Sequence, residues 1–145
     1  MAWRNVFVSW EGTDTEIPMR ISFSSATALA CALVLSTAAL AAPPAKTGKT
    51  AKGEVLVDSK GMTLYVFDKD SGGKSACNGP CAVNWPPLAA TASDKAEGEW
   101  TVITRDDGMK QWAYGGKPLY TWIKDTKAGD VTGDGVGGTW HLAKP

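Results

Sequence analysis

Apolar and polar residues alternate with a period of two along several short stretches of the chain. The stretches are residues 54–58, 62–68, 100–105, 109–114, 117–123 and 138–143. They are rich in β-branched and aromatic residues, which favour strands, and Asp-Gly or Gly-Gly pairs separate neighbouring stretches as in β-hairpins. Since no segment of helical length shows a convincing helical period, the sequence predicts a mainly β fold.

One pattern, Gly-x-x-Leu-Tyr-x-aromatic-x-Lys-Asp, occurs twice, at residues 61–70 and 116–125. The same spacing relates Trp85 to Trp140 without a gap. A repeat of this length is typical of a supersecondary unit that cannot bury its apolar face alone and packs on its copy. We therefore expect one small single domain built from two tandem pseudo-repeated β-hairpin units with Gly/Asp-rich loops. The repeat-motif residues are Tyr65, Phe67, Asp70, Tyr120, Trp122 and Asp125.

The aromatic residues of the two motifs fall on one face of each predicted strand, because side chains alternate with period two. Two interpretations remain open at this point. The aromatic faces form the core of a small domain, or they form an exposed row that stacks on a ligand such as a sugar ring. Under the second interpretation the tryptophans that would contact a ligand are Trp85, Trp112 and Trp140.

The N-terminal region has the layout of a secretory signal peptide at residues 19–41, with Arg20, an apolar run and the small-x-small site at 39–41. Residues 1–18 precede it and are interpreted as lying upstream of a true start at Met19, or as an extended leader. Residues 42–52 are rich in Ala, Pro, Lys and Thr and predict a flexible linker. The two-repeat β domain is then expected at 53–145.

The charge balance is neutral, with 15 Lys+Arg against 15 Asp+Glu. This argues against nucleic acid as a partner and against a polybasic membrane patch. No transmembrane helix is expected in the mature chain, because the apolar run of the signal peptide is too short to span comfortably.

Three cysteines occur, and Cys31 lies in the apolar run without a good lipoprotein signal around it. We therefore expect an exported protein, periplasmic or extracellular, that is not lipid-anchored. Cys77 and Cys81 can close a tight loop across Asn-Gly-Pro, so a structural disulfide is the leading interpretation. A thiol redox site and a soft-metal site are the alternatives.

The loop at residues 125–138 carries Asp125, Asp130 and Asp134 among glycines. Carboxylate and backbone oxygens in such a loop are typical of calcium ligands, although the spacing is not that of an EF-hand. The alternative is a structural loop, since Asp and Gly are also the usual residues of tight turns. Otherwise no cofactor is predicted. The single histidine, His141, has no Ser or Cys catalytic motif beside it, so no catalytic residues are predicted.

Four segments together resemble the secreted-repeat family of bacterial lipoproteins, which has a Tyr-x-aromatic-x-x-Asp motif and no known function: "LVDSKGMTLYVFDKD", "CNGPCAVNWPPL", "DDGMKQWAYGGKPLYTW" and "DTKAGDVTGDGVGGTWHL". The motif stands here at residues 65–70 and 120–125, and the likeness covers about residues 53–143. The resemblance implies an exported envelope protein of two tandem repeats.

These observations favour an exported, non-enzymatic envelope or binding protein whose partner is a cell-envelope component or a small ligand. Two alternatives stay open: a metal-binding or electron-transfer protein of the envelope, and a carbohydrate-binding module.

Overall fold

The computed structural model describes residues 43–145, and this part of the chain is mainly β. The strands are β1 (Ala45–Thr50), β2 (Gly53–Asp58), β3 (Tyr65–Phe67), β4 (Trp100–Thr104), β5 (Lys110–Tyr114), β6 (Lys117–Pro118) and β7 (Trp140–Leu142). The helical segments are the single turn α1 (Pro80–Asn84) and a 3-10 turn at Val136–Gly138. The predicted mainly β class with two repeats is confirmed. The predicted signal peptide, the residues before it and Cys31 lie outside the described residues.

The strands form three small antiparallel sheets. β1 pairs with β2, and β4, β5 and β6 form a three-stranded sheet. β3 pairs with β7, which lies near the other end of the chain, so that Phe67 is opposite Trp140. Each predicted motif strand is shorter than expected. β3 covers only Tyr65–Phe67, and in the second motif residues 119–123 make only isolated bridges, from Tyr120 to Tyr65 and Pro87.

The predicted linker at residues 42–52 is wrong over most of its length, because β1 occupies Ala45–Thr50 and pairs along its whole length with β2. Ala45 is buried, and Gly48 lies so close to Val57 that a Cβ atom would come within 2.6 Å of it. Lysine and threonine in this segment suggested a solvated tether. They are equally suited to an edge strand, where Lys discourages pairing with other chains.

The two repeats are related by a pseudo-two-fold axis that passes between Tyr65 and Tyr120. The backbone N–H of each tyrosine donates to the carbonyl of the other, at 2.8 and 3.0 Å. Further out, Ala143 donates to Leu64 at 2.9 Å, and its counterpart Leu88 donates to Leu119 at 2.8 Å. The returning segment of each repeat therefore pairs with the hairpin of the other repeat, and neither repeat completes its own sheet.

Stacked aromatic rings run through the core between the repeats, and we call them the aromatic column. The rings follow in the order Phe67, Trp140, Trp85 and Trp122, with centroids 4.2, 3.7 and 4.0 Å apart. The pseudo-two-fold axis relates one half of the column to the other, since Trp122 is the counterpart of Phe67 and Trp85 is the counterpart of Trp140. Stacked aromatic pairs of this kind add about 0.5–1.5 kcal/mol each beyond the area that they bury.

A second, aliphatic cluster lies on the opposite side of the central strands. Its buried members are Ala45, Leu56, Leu64, Leu119 and Ala143. Because side chains alternate along a strand, Leu64 and Leu119 pack in this cluster, whereas the tyrosine that follows each of them packs against the aromatic column. The central strands are thus covered on both faces, which fixes their register.

Candidate functional site

The tyrosine and aspartate of the repeat motif hold the two repeats together. The hydroxyl of Tyr65 donates to Asp125 at 2.6 Å, and the hydroxyl of Tyr120 donates to Asp70 at 2.8 Å. Each pair therefore joins one repeat to the other, and we call the two pairs the crossed clasps. Asp125 also accepts hydrogen bonds from the backbone N–H and hydroxyl of Thr132, which order the loop after the motif.

Burial decides the electrostatics of the crossed clasps. Desolvation raises the pKa of Tyr65 and of Tyr120 far above the ordinary value of 10, and the hydrogen bond to the aspartate raises each pKa further. Desolvation also raises the pKa of Asp70, while its hydrogen bonds from Ala76 and Tyr120 lower it. The phenols therefore stay protonated as hydrogen-bond donors at neutral pH, which suits a structural contact.

The tryptophans predicted as ligand contacts lie in the interior. Trp85 and Trp140 are each 4% exposed and Trp112 is 8% exposed. Trp85 and Trp140 belong to the aromatic column, and Trp112 packs edge-on to Trp100. They do not form an exposed row that could stack on a sugar ring, because the reciprocal packing of the repeats covers their faces.

The predicted disulfide between Cys77 and Cys81 is present, with a Cα–Cα distance of 5.2 Å. It closes the loop that leads into α1. Arg105 was not predicted as a functional residue, yet its buried guanidinium holds this loop to the second repeat. Arg105 donates to Ser75, to Gln111 and to the carbonyl of Cys77, each at 2.8 Å. Only the position of Arg105 at the end of a strand was visible in the sequence, and that is also typical of an exposed arginine.

The three loop aspartates predicted as calcium ligands serve separate local contacts. Asp125 belongs to a crossed clasp, and Asp130 accepts backbone hydrogen bonds from Thr126 and Lys127. Asp134 pairs with Lys52 at 2.7 Å. Within residues 43–145 no three His, Cys, Asp or Glu side chains are grouped as metal ligands. The geometry gives the calcium prediction no support.

A cleft of about 250 Å³ opens beside the pairing of β3 with β7. It is lined by Val66, Asp68, Tyr114, Lys117, Leu119, His141, Leu142, Ala143 and Lys144. His141 Nε2 lies 2.8 Å from the carboxylate of Asp68, and both side chains are about half exposed. The carboxylate accepts in this pair, so Nε2 carries the hydrogen.

Two further polar side chains of the cleft have defined partners. Lys144 Nζ donates to the backbone carbonyls of Lys52 and Glu54, at 3.2 and 3.1 Å, which fixes its ammonium group at the rim. A hydrogen bond to Glu99 raises the pKa of Tyr114 above its ordinary value. The cleft thus combines an apolar floor with positioned charges.

The surface that the pseudo-two-fold axis relates to the cleft is built on the same backbone. The N–H of Asp68 donates to Thr139 at 2.9 Å, and its counterpart Ile123 donates to Asn84 at 3.2 Å. Four of the five charged or titratable positions of the cleft nevertheless correspond to apolar residues, and the fifth, Tyr114, corresponds to Ser59. Asp68, Lys117, His141 and Lys144 have as counterparts Ile123, Met62, Pro86 and Ala89, respectively. Since the scaffold tolerates apolar residues at these places, the fold does not require the ionisable set.

No helix within residues 43–145 is long and apolar enough to cross a membrane. Comparison with curated proteins and with solved structures finds no match. A family described as a secreted repeat of unknown function matches the chain twice, over residues 46–89 and 101–144. The two matches coincide with the two halves that the pseudo-two-fold axis relates, and together they cover more than half of the chain. The chain therefore belongs to this family of secreted repeats.

Proposed function

We propose that this chain is an exported, non-enzymatic binding protein of the cell envelope, and that the cleft beside His141 is its ligand site. One observation carries the proposal: four ionisable side chains, contributed by both repeats, line the cleft, whereas the symmetry-related surface carries apolar residues at the matching places. When residues differ between two copies of the same backbone, the fold does not require them, so they indicate a function other than stability.

The crossed clasps support this location of the site. The phenols of Tyr65 and Tyr120 are buried and paired with Asp125 and Asp70, so the most distinctive residues of the sequence are occupied in holding the repeats together. The cleft, in contrast, presents half-exposed polar groups around an apolar floor. Concave apolar surfaces with a few convergent polar groups are the usual form of small-ligand sites.

The carbohydrate-binding alternative has weaker support, because the tryptophans that would stack on sugar rings are buried. Electron transfer is a second candidate, and the aromatic column supports it through its contiguous ring contacts. A one-electron oxidant should then give a tryptophan radical shared by Trp85 and Trp140. A radical confined to the more exposed Trp100 would contradict this second candidate.

The proposed binding function is tested by native mass spectrometry of the exported protein, recovered without dialysis. We expect the folded protein to carry a small molecule that is released unchanged on denaturation. The double variant Lys117→Gln/His141→Gln should lose this molecule. The matched control is Lys95→Gln, which removes a lysine charge from the exposed segment between the repeats and should retain it.

Two results would contradict the proposal. If the double variant retained the same molecule as the wild type, the ligand site would lie elsewhere. If the wild type converted the molecule to a product of different composition and the cleft variant did not, the protein would be an enzyme.

A further inference from the structure

The arrangement of charge in the cleft indicates the chemical class of its ligand. We infer that the cleft binds a small organic anion, in which a carboxylate or phosphate group is attached to a compact apolar body. This inference rests on the proposed binding function and names the ligand class of the same site.

Positive charge dominates the lining of the cleft. Lys117 and Lys144 each contribute an ammonium group, and Asp68 is the single lining carboxylate. That carboxylate is hydrogen-bonded to His141 Nε2, so it is partly engaged within the cleft wall. An anionic group that enters the cleft therefore meets two ammonium groups, whose charge the single carboxylate of the lining does not fully balance.

One of these cations is held in place before any ligand arrives. Lys144 Nζ donates to the backbone carbonyls of Lys52 and Glu54, which lie at the turn between β1 and β2 and at the start of β2. Carbonyl oxygens position an ammonium group without cancelling its formal charge. A lysine side chain that is already held in this way loses less conformational entropy on ligand binding than a free lysine side chain does.

The His141–Asp68 pair orients a second polar group at the cleft. Because Asp68 fixes the hydrogen on Nε2, the ring has a defined orientation across the wall. An exposed ion pair of this kind contributes little to stability. On the symmetry-related surface Ile123 and Pro86 occupy the matching places, so the pair is better explained by recognition than by folding.

The floor and the size of the cleft restrict the rest of the ligand. The floor is formed by Val66, Leu119, Leu142 and Ala143, which would pack against an apolar body. The volume of about 250 Å³ is below the range of typical pockets for drug-sized ligands. The ligand is thus a small molecule of one ring or a short chain, and a polymer could enter only with its charged end.

The inference is tested with three probes of nearly equal size: benzoate, phenyl phosphate and the uncharged isostere benzamide. Binding is followed by the shifts of backbone amide signals in two-dimensional NMR spectra of the folded protein. We expect at least one of the two anions to shift the amide signals of Lys117 and Leu142 saturably, and benzamide to bind at least about fivefold more weakly.

Variants locate the effect. Lys117→Gln should weaken binding of the anion by about fivefold, the upper range for losing one exposed ion pair. The control Lys95→Gln should leave the affinity unchanged. A difference between benzoate and phenyl phosphate identifies which head group the cleft prefers.

The outcomes separate this inference from the proposed function. If benzamide binds in the cleft as tightly as the anions, charge recognition is refuted, while the cleft remains the ligand site. If the anions bind but Lys117→Gln and Lys95→Gln weaken them equally, attraction is unspecific and the inference is refuted. If no probe shifts the cleft signals of the folded protein, both the inference and the proposed function are overturned.

Discussion

Removing one hydroxyl from a crossed clasp tests how the repeats are joined. In Tyr65→Phe, Asp125 loses its donor at 2.6 Å, and the N–H of Gly133 loses the phenol oxygen that accepts its hydrogen bond at 3.2 Å. A hydrogen bond to a charged group contributes about 1.5–3 kcal/mol, and an unpaired buried N–H costs about 1–3 kcal/mol. Since Asp125 keeps its bonds from Thr132, we expect the free energy of unfolding to fall by about 3 kcal/mol in total.

Urea unfolding followed by tryptophan fluorescence measures this loss. In thermal unfolding the same change should lower the midpoint by about 12–24 °C for a domain of this size. A double-mutant cycle of Tyr65→Phe with Asp125→Ala isolates the clasp, and its coupling energy should be about 1.5–3 kcal/mol. The mismatched cycle of Tyr65→Phe with Asp70→Ala is the control and should couple by less than about 0.5 kcal/mol.

Equal coupling energies in the matched and mismatched cycles would refute the crossed arrangement. A loss of less than about 0.5 kcal/mol in Tyr65→Phe would show that the phenol is solvated and that the motif has another role.

Three further perturbations follow from the packing and the charges. Gly133→Ala would place a Cβ atom 2.9 Å from two core rings, so we expect a loss of about 1–3 kcal/mol in urea unfolding; an unchanged midpoint would contradict the close approach. Replacing Cys77 and Cys81 by serine should cost about 2 kcal/mol, the entropy of closing so short a loop, and a change under about 0.5 kcal/mol would contradict this. The hydrogen bond from Lys52 lowers the pKa of Asp134 below the ordinary value of 3.8. The contribution of this ion pair to the free energy of unfolding is therefore present above pH 3.8 and lost as the pH falls through the lowered pKa. As the pH is lowered, the free energy of unfolding should then decrease less steeply in Lys52→Gln than in the wild type; identical pH profiles would show that the ion pair does not stabilise the fold.

The repeat was the strongest guide that the sequence offered to the fold. It indicated two units that pack on each other, and the residue spacing correctly matched Tyr65 with Tyr120 and Trp85 with Trp140. It did not reveal that the units exchange their returning segments, because the repeat pattern is the same whether a segment pairs within its own unit or with the other. The linker prediction failed at β1 for a related reason: lysine and threonine are compatible with both a solvated tether and an edge strand.

The candidate site was harder to predict than the fold. The sequence drew attention to the aromatic and acidic residues of the motif, which turn out to be packed or paired in the interior. Asp68 and His141 are far apart in the chain and meet only because β3 pairs with β7. The same holds for Arg105, since two of its partners, Ser75 and Cys77, come from the other repeat. Contacts across the pseudo-two-fold axis leave no local pattern that could be read from one segment.

Benzoate binding to Tyr65→Phe and to Lys117→Gln, compared by calorimetric titration below the unfolding temperature of both variants, separates the role of the clasp from that of the cleft. We expect the clasp variant to be less stable and to bind benzoate with the wild-type affinity. We expect the cleft variant to keep its stability and to bind benzoate about fivefold more weakly. A folded Tyr65→Phe protein that had lost binding, beside a Lys117→Gln protein that had kept it, would show that the repeat motif itself recognises the ligand.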